Sequence, residues 1–334
     1  MIKKEYYYSL DLFRGFCGYG VAICHLNAFI FLNQYMEYLS LIFVEFFFVL
    51  SGFVLYPQLL KVIDKKNNLL IFYKRRWMRT LPLYFLTLIL VSILTSHLFD
   101  INFFKYFFLI QKFIPNFIEN DYYPVAWSLS IEELFYLLFP LILVFLNSKN
   151  FLKISLLIFI FIILIKYFLI SNFDANFYRT GTFLRLDAIL FGFLISHFKF
   201  EILKFKKIII LFALIFITLF LLGYDYFVIN RIYPNNRFLF IIFMQITSGL
   251  TLLSFIFTEP LLNNNYLRKF SLLISQQTYS IYLFHIIVIY ILSKIDLSIY
   301  IITPIYLLLL FLISTLIYNF FEKPLLKLRP KIIE

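Results

Sequence analysis

Long apolar segments alternate with short polar breaks along the whole chain. A helix of about 20 mostly apolar residues crosses the roughly 30 Å hydrocarbon core of a bilayer. We therefore predict ten spans, at residues 9–32, 39–60, 80–99, 125–146, 151–170, 183–198, 208–223, 238–258, 277–292 and 299–321. A shorter apolar segment at 101–110 contains Asn102 and Lys105, so we expect it to lie along the membrane interface.

The breaks between these segments are too short to hold a separate soluble domain, so we predict one integral membrane domain over residues 1–334. Its fold class is all-α, and we expect about ten helices around a central polar cavity. The composition agrees with this class, because 63% of the residues are hydrophobic and only 14% are charged. A short basic tail, 323–334, follows the last span.

Basic residues are distributed unevenly between the loops on the two sides of the membrane. Ten spans place both termini on one side, and the loops of that side carry 21 lysines and arginines against 6 on the other. The positive-inside rule therefore predicts that both termini are cytoplasmic. The same distribution accounts for most of the net charge of +12, so we do not interpret that charge as a nucleic-acid-binding signature.

Arg14 and His25 lie eleven residues apart in the first span. Eleven helical residues rise about 16 Å and return a side chain to within about 20° of its starting direction, so the two groups share one face. An arginine and a histidine inside hydrocarbon are costly unless they face protein or a wet cavity. The first helix is therefore predicted to line a polar site.

Counting residues from each loop assigns a depth to every buried polar group. His25 and Glu45 lie equally far from the first outer turn, so we predict that they pair. The polar residues of the outer half are His25, Glu45, Glu132, Glu133, Arg185 and Asp187. Those at the cytoplasmic edge are Asp11, Arg14, Arg75, Arg76 and Arg79. A histidine beside a carboxylate suits general base catalysis, and clustered arginines suit phosphate binding.

Structural interpretations compete with each of these assignments. The three arginines at 75, 76 and 79 could simply anchor the third span at the membrane surface. The glutamates could be ion-pair partners of Arg14 and Arg185. His285 could bond a neighbouring helix, and Glu322 could mark a helix end. We assign structural roles to Asp11 and Glu322, and we predict no metal site.

Seven motifs follow one another along nearly the whole chain. They are SLDLFRG at 9–15 with His25 after it, VEFFFVLSGF at 44–53, YKRRWMRTLPLY at 73–84, WSLSIEELFY at 127–136, FLRLDAILFG at 183–192, QTYSIYLFH at 277–285 and FEKP at 321–324. Through these motifs and their order, the chain resembles the acyltransferase-3 family of integral membrane acyltransferases. Members of that family are bacterial enzymes that mostly O-acetylate cell-surface glycans. Phe43 departs from the family pattern, in which a small residue precedes the second motif.

The resemblance implies a membrane-bound O-acyltransferase of the bacterial cytoplasmic membrane. Acyl-CoA, above all acetyl-CoA, is the implied co-substrate, and a glycan or glycolipid hydroxyl is the implied acceptor. We expect no permanently bound cofactor and no fused extracytoplasmic esterase-like domain.

The family motifs also imply roles for individual residues. His25 is the expected base or acyl carrier, and the carboxylates that could orient its ring are Glu45, Glu132 and Glu133. The donor is assigned to Arg14, Arg75, Arg76 and Arg79. The acceptor is assigned to Arg185, Asp187, Trp127 and His285. Direct transfer and a relay through an acyl-histidine are both compatible with the sequence.

A second class of function fits the same buried charges, namely a secondary transporter or flippase for a sugar or a lipid-linked intermediate. Such proteins often contain inverted repeats and helices broken by glycine or proline. This sequence has no internal repeat that we can detect and only 8 glycines, which favours the acyltransferase.

Overall fold

The computed structural model describes residues 6–65, 67–118, 121–145, 150–230, 233–296 and 298–331. These residues form an all-helical protein, and no strand occurs among them, as predicted. The α-helices are α1 Tyr8–Ile30, α2 Gln34–Asp64, α3 Asn68–Leu94, α4 Ile101–Phe107, α5 Trp127–Phe145, α6 Phe151–Phe168, α7 Ala175–Thr180, α8 Leu186–His197, α9 Lys199–Ile202, α10 Lys206–Leu222, α11 Tyr224–Asn230, α12 Pro234–Ile256, α13 Asn265–Leu292, α14 Ile299–Ile317 and α15 Lys323–Lys327.

Eight helical segments in this part of the chain are long and apolar enough to cross a membrane. They are α2, α3, α5 with its preceding turn, α6, α9 with α10, α12, α13, and α14 with α15. The protein is therefore a multi-pass membrane protein. The predicted spans 9–32 and 183–198 are not in this set. Polar residues such as Arg14 and His25 interrupt α1, and α8 has only 12 residues.

Several helices begin well before the apolar segments that predict them. α3 begins at Asn68 although its predicted span starts at 80, and α13 begins at Asn265 and not at 277. Hydropathy identifies only the apolar part of a helix, which lies in the hydrocarbon core. The helical hydrogen bonds of the backbone continue into the polar residues on either side. The basic motif at 73–79 consequently lies on α3 itself. The predicted interface segment at 101–110 contains the short helix α4. The predicted span 125–146 and the predicted tail 323–334 each include residues outside the described ranges.

Two glycines bring the backbones of α2 and α8 into close contact. An added Cβ at Gly52 would lie 1.8 Å from the carbonyl oxygen of Ile189, and one at Gly192 would lie 1.9 Å from the carbonyl oxygen of Val49. Both neighbouring atoms belong to the backbone, so no side-chain rotation can relieve the clash. Small residues at such crossings are what allow helices to pack closely in a membrane.

Gly52→Ala is expected to force α2 and α8 apart and to destabilise the folded protein by about 2 kcal/mol or more, since overpacking costs about 1–3 kcal/mol. Gly249→Ala is the matched control, because a Cβ there meets the side-chain tips of Ile195 and Phe191 at 2.7 and 2.9 Å. Thermal unfolding in detergent measures both variants. Equal destabilisation by the two substitutions would contradict the role of the α2–α8 contact.

Candidate functional site

A polar cavity of about 100 Å³ lies between α1, α2, α3, α5 and α13, and this volume holds several water molecules. Its polar lining combines arginines, a carboxylate and hydroxyl groups: Arg14, Arg76, Arg79, Glu132, Ser51 and Tyr282. We call it the arginine cavity. Three of the four arginines predicted to bind the donor are therefore found in one cavity.

Side-chain contacts hold two of these arginines in position. Arg76 donates a hydrogen bond to Gln58 Oε1 at 2.9 Å, and its guanidinium lies 4.9 Å from the centre of the Tyr136 ring. Arg14 Nη1 donates to Ser275 Oγ of α13 at 3.4 Å. These contacts leave several N–H groups of each guanidinium for a ligand, because arginine carries five such donors.

Arg75 does not belong to this group. Its Nη1 donates to the carbonyl oxygen of Pro330 at 2.6 Å, and the residue is not among those that line the arginine cavity. Successive residues of a helix point about 100° apart, so Arg75 and Arg76 cannot face the same cavity in the same way. The prediction that Arg75 lies with Arg76 and Arg79 at one surface is therefore corrected for the arginine cavity, which Arg75 does not line.

Glu132 and Glu133 lie beside the arginines and not in a layer with His25. Ser51 Oγ donates to Glu132 Oε1 at 2.5 Å, and Thr80 Oγ1 donates to Glu133 Oε1 at 2.5 Å. Glu132 is also within electrostatic range of all three cavity arginines. Their contacts therefore place them with the arginines and not with His25 as the depth count predicted. Tyr123, just before α5, is fully buried, so α5 starts inside the protein.

His25 of α1 forms a hydrogen bond with His285 of α13, and 2.9 Å separates His25 Nδ1 from His285 Nε2. His285 Nδ1 lies 2.6 Å from the carbonyl oxygen of Tyr282, which can only accept. His285 Nδ1 therefore carries a proton, and its Nε2 accepts from His25 Nδ1. This tautomer leaves the lone pair of His25 on Nε2. His25 and Arg14 both bond α13, as expected of residues on one face.

The predicted pair of His25 and Glu45 is not formed. Glu45 instead accepts a hydrogen bond from Arg185 Nη2 in a buried ion pair, and Glu45 Oε1 has no hydrogen-bond partner among the described residues. Equal distance from a turn sets equal height on two helices, but it does not set the direction of the side chains. The partner of His25 is another histidine.

Asp187 belongs to a second buried ion pair, which joins three helices. Lys166 of α6 and Gln245 of α12 both donate to Asp187 Oδ2 at 2.6 Å. Lys166 and Asp187 are both fully buried. Arg185 and Asp187, which we assigned to the acceptor, thus have partners within the protein. We did not single out Lys166, although a lone lysine in an apolar span is a signal for a buried partner.

A larger cavity of about 450 Å³ lies at the end of the protein that contains the turn between α1 and α2. Acidic, basic and amide side chains line it together with aromatic rings: Glu37, Asp174, Arg179, Arg237, Asn236 and Tyr38. We call it the mixed-charge cavity. In the sequence, Arg179 and Arg237 count only among the basic residues of the outer loops, and nothing singles out Glu37 or Asp174, because only the tertiary structure brings these distant segments together.

The histidine pair lies between residues of the two cavities and lines neither of them. On one side Tyr282 lines the arginine cavity, and its ring centre is 5.8 Å from that of His285. On the other side Arg179 lines the mixed-charge cavity and is within electrostatic range of His25. The Arg179 guanidinium also lies 5.2 Å from the ring of Trp127, so this tryptophan belongs to the wall between the cavities.

The two residues with predicted structural roles are buried and hydrogen-bonded. Asp11 accepts a hydrogen bond from Ser275 Oγ at 2.6 Å and another from Tyr6. Glu322 lies in a π-helical turn, Tyr318–Glu322, and accepts from Ser280 Oγ at 2.8 Å. Both carboxylates therefore join the chain ends to α13.

The arrangement provides a neutral imidazole base between a cationic cavity and a polar one. Within the described residues, no group of three or more histidine, cysteine, aspartate and glutamate side chains could hold a metal ion. An imidazole can act as a general base and guanidinium groups can bind phosphate, so these residue types are compatible with the transfer of a group from a phosphorylated carrier.

Comparison with known proteins agrees with this chemistry. A protein-family model described as an acyltransferase domain matches residues 7–319. O-acetyltransferase OatA of Staphylococcus aureus strain NCTC 8325 is 28% identical over 374 residues, which cover 98% of this chain and 58% of that protein. A candidate O-acetyltransferase of strain COL is 29% identical over 327 residues, 86% of this chain and 51% of that protein.

The chain thus spans between half and three-fifths of the length of these two relatives. A Haemophilus influenzae protein is 33% identical over 154 residues, 41% of this chain. No solved structure gives a significant match. Because the family model extends from residue 7 to residue 319, the chain belongs to the acyltransferase-3 family of membrane proteins.

Proposed function

We propose that the protein is a membrane-bound O-acyltransferase that moves an acyl group, chiefly acetyl, from acyl-CoA to a hydroxyl of a cell-surface or lipid-linked carbohydrate. The observation that carries this proposal is the hydrogen bond from His25 to His285, because it makes His25 Nε2 a base. Membership of the family and the names of two relatives support O-acyl transfer.

The proposal orients the chain in the bacterial cytoplasmic membrane with both termini in the cytoplasm. The excess of basic residues on the side of the termini supports this orientation. The helices α1 and α8 then join the eight apolar segments as further crossings, because their polar groups have partners inside the protein. The arginine cavity receives the donor from the cytoplasm, and the mixed-charge cavity faces the outside.

Acyl-CoA binds as a co-substrate through its phosphates and its pantetheine arm. Arg76 and Arg79 bind phosphate oxygens, since a guanidinium donates two parallel N–H groups to them. Arg14, about 16 Å from His25 along α1, donates to the amide oxygens of the pantetheine arm. A cavity of about 100 Å³ is too small for a whole acyl-CoA molecule, so the donor enters it by its thioester end and the nucleotide stays at the cytoplasmic mouth. Glu132 keeps the arginine side chains in place.

Acyl transfer begins when His25 Nε2 removes the proton of the acceptor hydroxyl. The hydroxyl oxygen then attacks the thioester carbon, the C–S bond breaks, and the CoA thiolate takes the proton from the imidazolium. In the alternative order, Nε2 attacks the thioester carbon and the C–S bond breaks, which gives an acyl-imidazolium and the CoA thiolate. The acceptor hydroxyl then attacks the acyl carbon, the C–N bond breaks, and the hydroxyl proton passes through Nε2 to the thiolate. In both orders the Nδ1–H of His25 keeps its bond to His285.

The mixed-charge cavity is the proposed acceptor site. Its volume of about 450 Å³ falls within the range of small-molecule sites. Carboxylates such as Glu37 and Asp174 accept hydrogen bonds from sugar hydroxyls, and Arg179 and Arg237 donate to sugar oxygens. Arg179 lines this cavity and is within electrostatic range of His25. An acceptor bound beside Arg179 therefore approaches the base from the outer side of the membrane.

His25→Ala is expected to abolish acyl transfer because it removes the base. Release of CoA from acetyl-CoA by purified protein, with surface glycans extracted from a strain that lacks the protein as acceptor, measures the reaction. His97→Ala is the control, since His97 bonds Asp100 at 2.7 Å in a loop. CoA release that is independent of His25 would contradict the proposal, and a transporter would release none.

A second experiment separates the two orders of transfer. The protein is mixed with radiolabelled acetyl-CoA in the absence of acceptor, and the reaction is quenched. A label on His25 requires the acyl-histidine intermediate.

His285→Leu is expected to lower kcat by roughly 10²–10³-fold, the usual scale of a general base effect, because the ring of His25 loses the acceptor that orients it. His285→Gln restores part of kcat, since its amide oxygen can accept the same hydrogen bond. The KM for acetyl-CoA is expected to stay unchanged in both variants. Wild-type kcat in His285→Leu would exclude a positioning role for His285.

Arg76→Glu is expected to raise the KM for acetyl-CoA by about tenfold or more, because a phosphate meets a like charge in place of a guanidinium. The KM for the acceptor should change little. Lys74→Glu is the matched control, since Lys74 is exposed on the same helix and carries the same charge. Initial rates with each substrate varied in turn provide the measurement. Equal changes in both KM values would count against a donor site at Arg76.

A further inference from the structure

The C-terminal segment brings Arg329 beside the basic motif of α3. α15 packs against α3, and Arg75 Nη1 donates to the carbonyl oxygen of Pro330 at 2.6 Å. Arg329 consequently lies within electrostatic range of Arg75, Arg76 and Arg79. Four arginines from two distant parts of the sequence thus form one group next to the arginine cavity.

Arg329 presents buried donors without partners. Its Nε and Nη2 atoms are inaccessible to solvent, and no described residue accepts a hydrogen bond from either. These two nitrogens lie on the same edge of the guanidinium, so their N–H bonds point the same way. A buried cationic donor without an acceptor is costly, and this edge matches two oxygens of one phosphate.

The charge around Arg329 favours an anion. Glu322 is the acidic group within electrostatic range of Arg329, and it also accepts a hydrogen bond from Ser280 at 2.8 Å. Burial and the charges of Arg79, Arg75 and Arg76 lower the pKa of Arg329 to about 10, so the guanidinium is still charged at pH 7. Among the described groups that act on Arg329, three arginines outweigh the Glu322 carboxylate and leave a net positive field at its guanidinium.

We propose that Arg329 binds the ribose 3′-phosphate of the acyl-CoA donor, and this inference rests on the proposed function. The arginine cavity, at about 100 Å³, is too small for a whole acyl-CoA molecule, so part of the donor remains outside it. The thioester has to reach toward His25, and the ribose phosphate is at the opposite end of the extended donor. Among the arginines of this group, Arg329 comes from the tail and lines no part of the arginine cavity. The tail thus completes the donor site.

Binding of adenosine 3′,5′-bisphosphate to the purified full-length chain tests this assignment without acyl transfer. Arg329→Gln should weaken binding of the bisphosphate by about tenfold or more. Arg329→Lys should restore only part of the lost affinity, because an ammonium group lacks the two parallel N–H donors of a guanidinium. Lys327→Gln is the matched control, since Lys327 is exposed in the same tail and carries the same charge. It should change binding less than about twofold. Unchanged thermal unfolding temperatures establish that the variants are folded.

A comparison of two donors identifies the phosphate. Arg329→Gln should raise the KM for acetyl-CoA and leave the KM for acetyl-dephospho-CoA, which lacks the 3′-phosphate, unchanged. Equal increases for both donors, or wild-type binding of the bisphosphate by Arg329→Gln, would overturn the assignment. If the bisphosphate binds through Arg329 but no acyl group is transferred to any glycan, the phosphate site stands and the proposed function fails.

Discussion

Charged side chains inside hydrocarbon need partners, and this requirement organises the helices of this protein. Glu45 with Arg185, and Lys166 with Asp187, place four charges in the interior and connect α2, α6 and the start of α8. Gln245 adds α12 to the same network. The network depends on the glycine contact between α2 and α8, since a side chain at Gly52 or Gly192 would separate the helices that carry Glu45 and Asp187. Removing one member of such a pair would leave a buried charge uncompensated, which costs about 3–5 kcal/mol.

The histidine pair also consists of buried polar groups that find their hydrogen-bond partners inside the protein, but these groups are neutral. A backbone carbonyl of α13 holds the proton on His285 Nδ1, and this proton determines the tautomer of His25 across the helix contact. The peptide carbonyl of Tyr282 thus takes the place of the carboxylate that orients a histidine in a Ser-His-Asp triad. A neutral relay also avoids placing another charge in hydrocarbon.

α13 is the helix on which the parts of the site converge. It provides His285 for the base, Tyr282 for the wall of the arginine cavity, and Ser275, which bonds both Arg14 and Asp11. Ser280, one turn before Phe284, bonds Glu322 near the tail that carries Arg329. The proposed base and Arg14 are therefore both held by α13, whereas Arg76 and Arg79 lie on α3 and Arg329 lies in the tail.

Much of this protein follows from the sequence alone, because the bilayer limits the possible structures. The lengths of the apolar segments predict a multi-pass helical protein, and the spacing of Arg14 and His25 predicts a shared face, which α13 covers in the structure. The order of the motifs indicates the family, which the match over residues 7–319 establishes. These features are local, since they depend on helix geometry and on hydropathy.

The partners of the polar groups were decided only by the tertiary structure. Residue counts give the height of Glu45 but not the direction of its side chain, so they could not decide between His25 and Arg185 as its partner. The depth of Glu132 depends on α5 starting inside the protein, and the position of Arg329 depends on the packing of α15 against α3. Sequence fixes rise and periodicity along each helix, whereas rotation, burial and contacts between helices depend on the simultaneous packing of all of them.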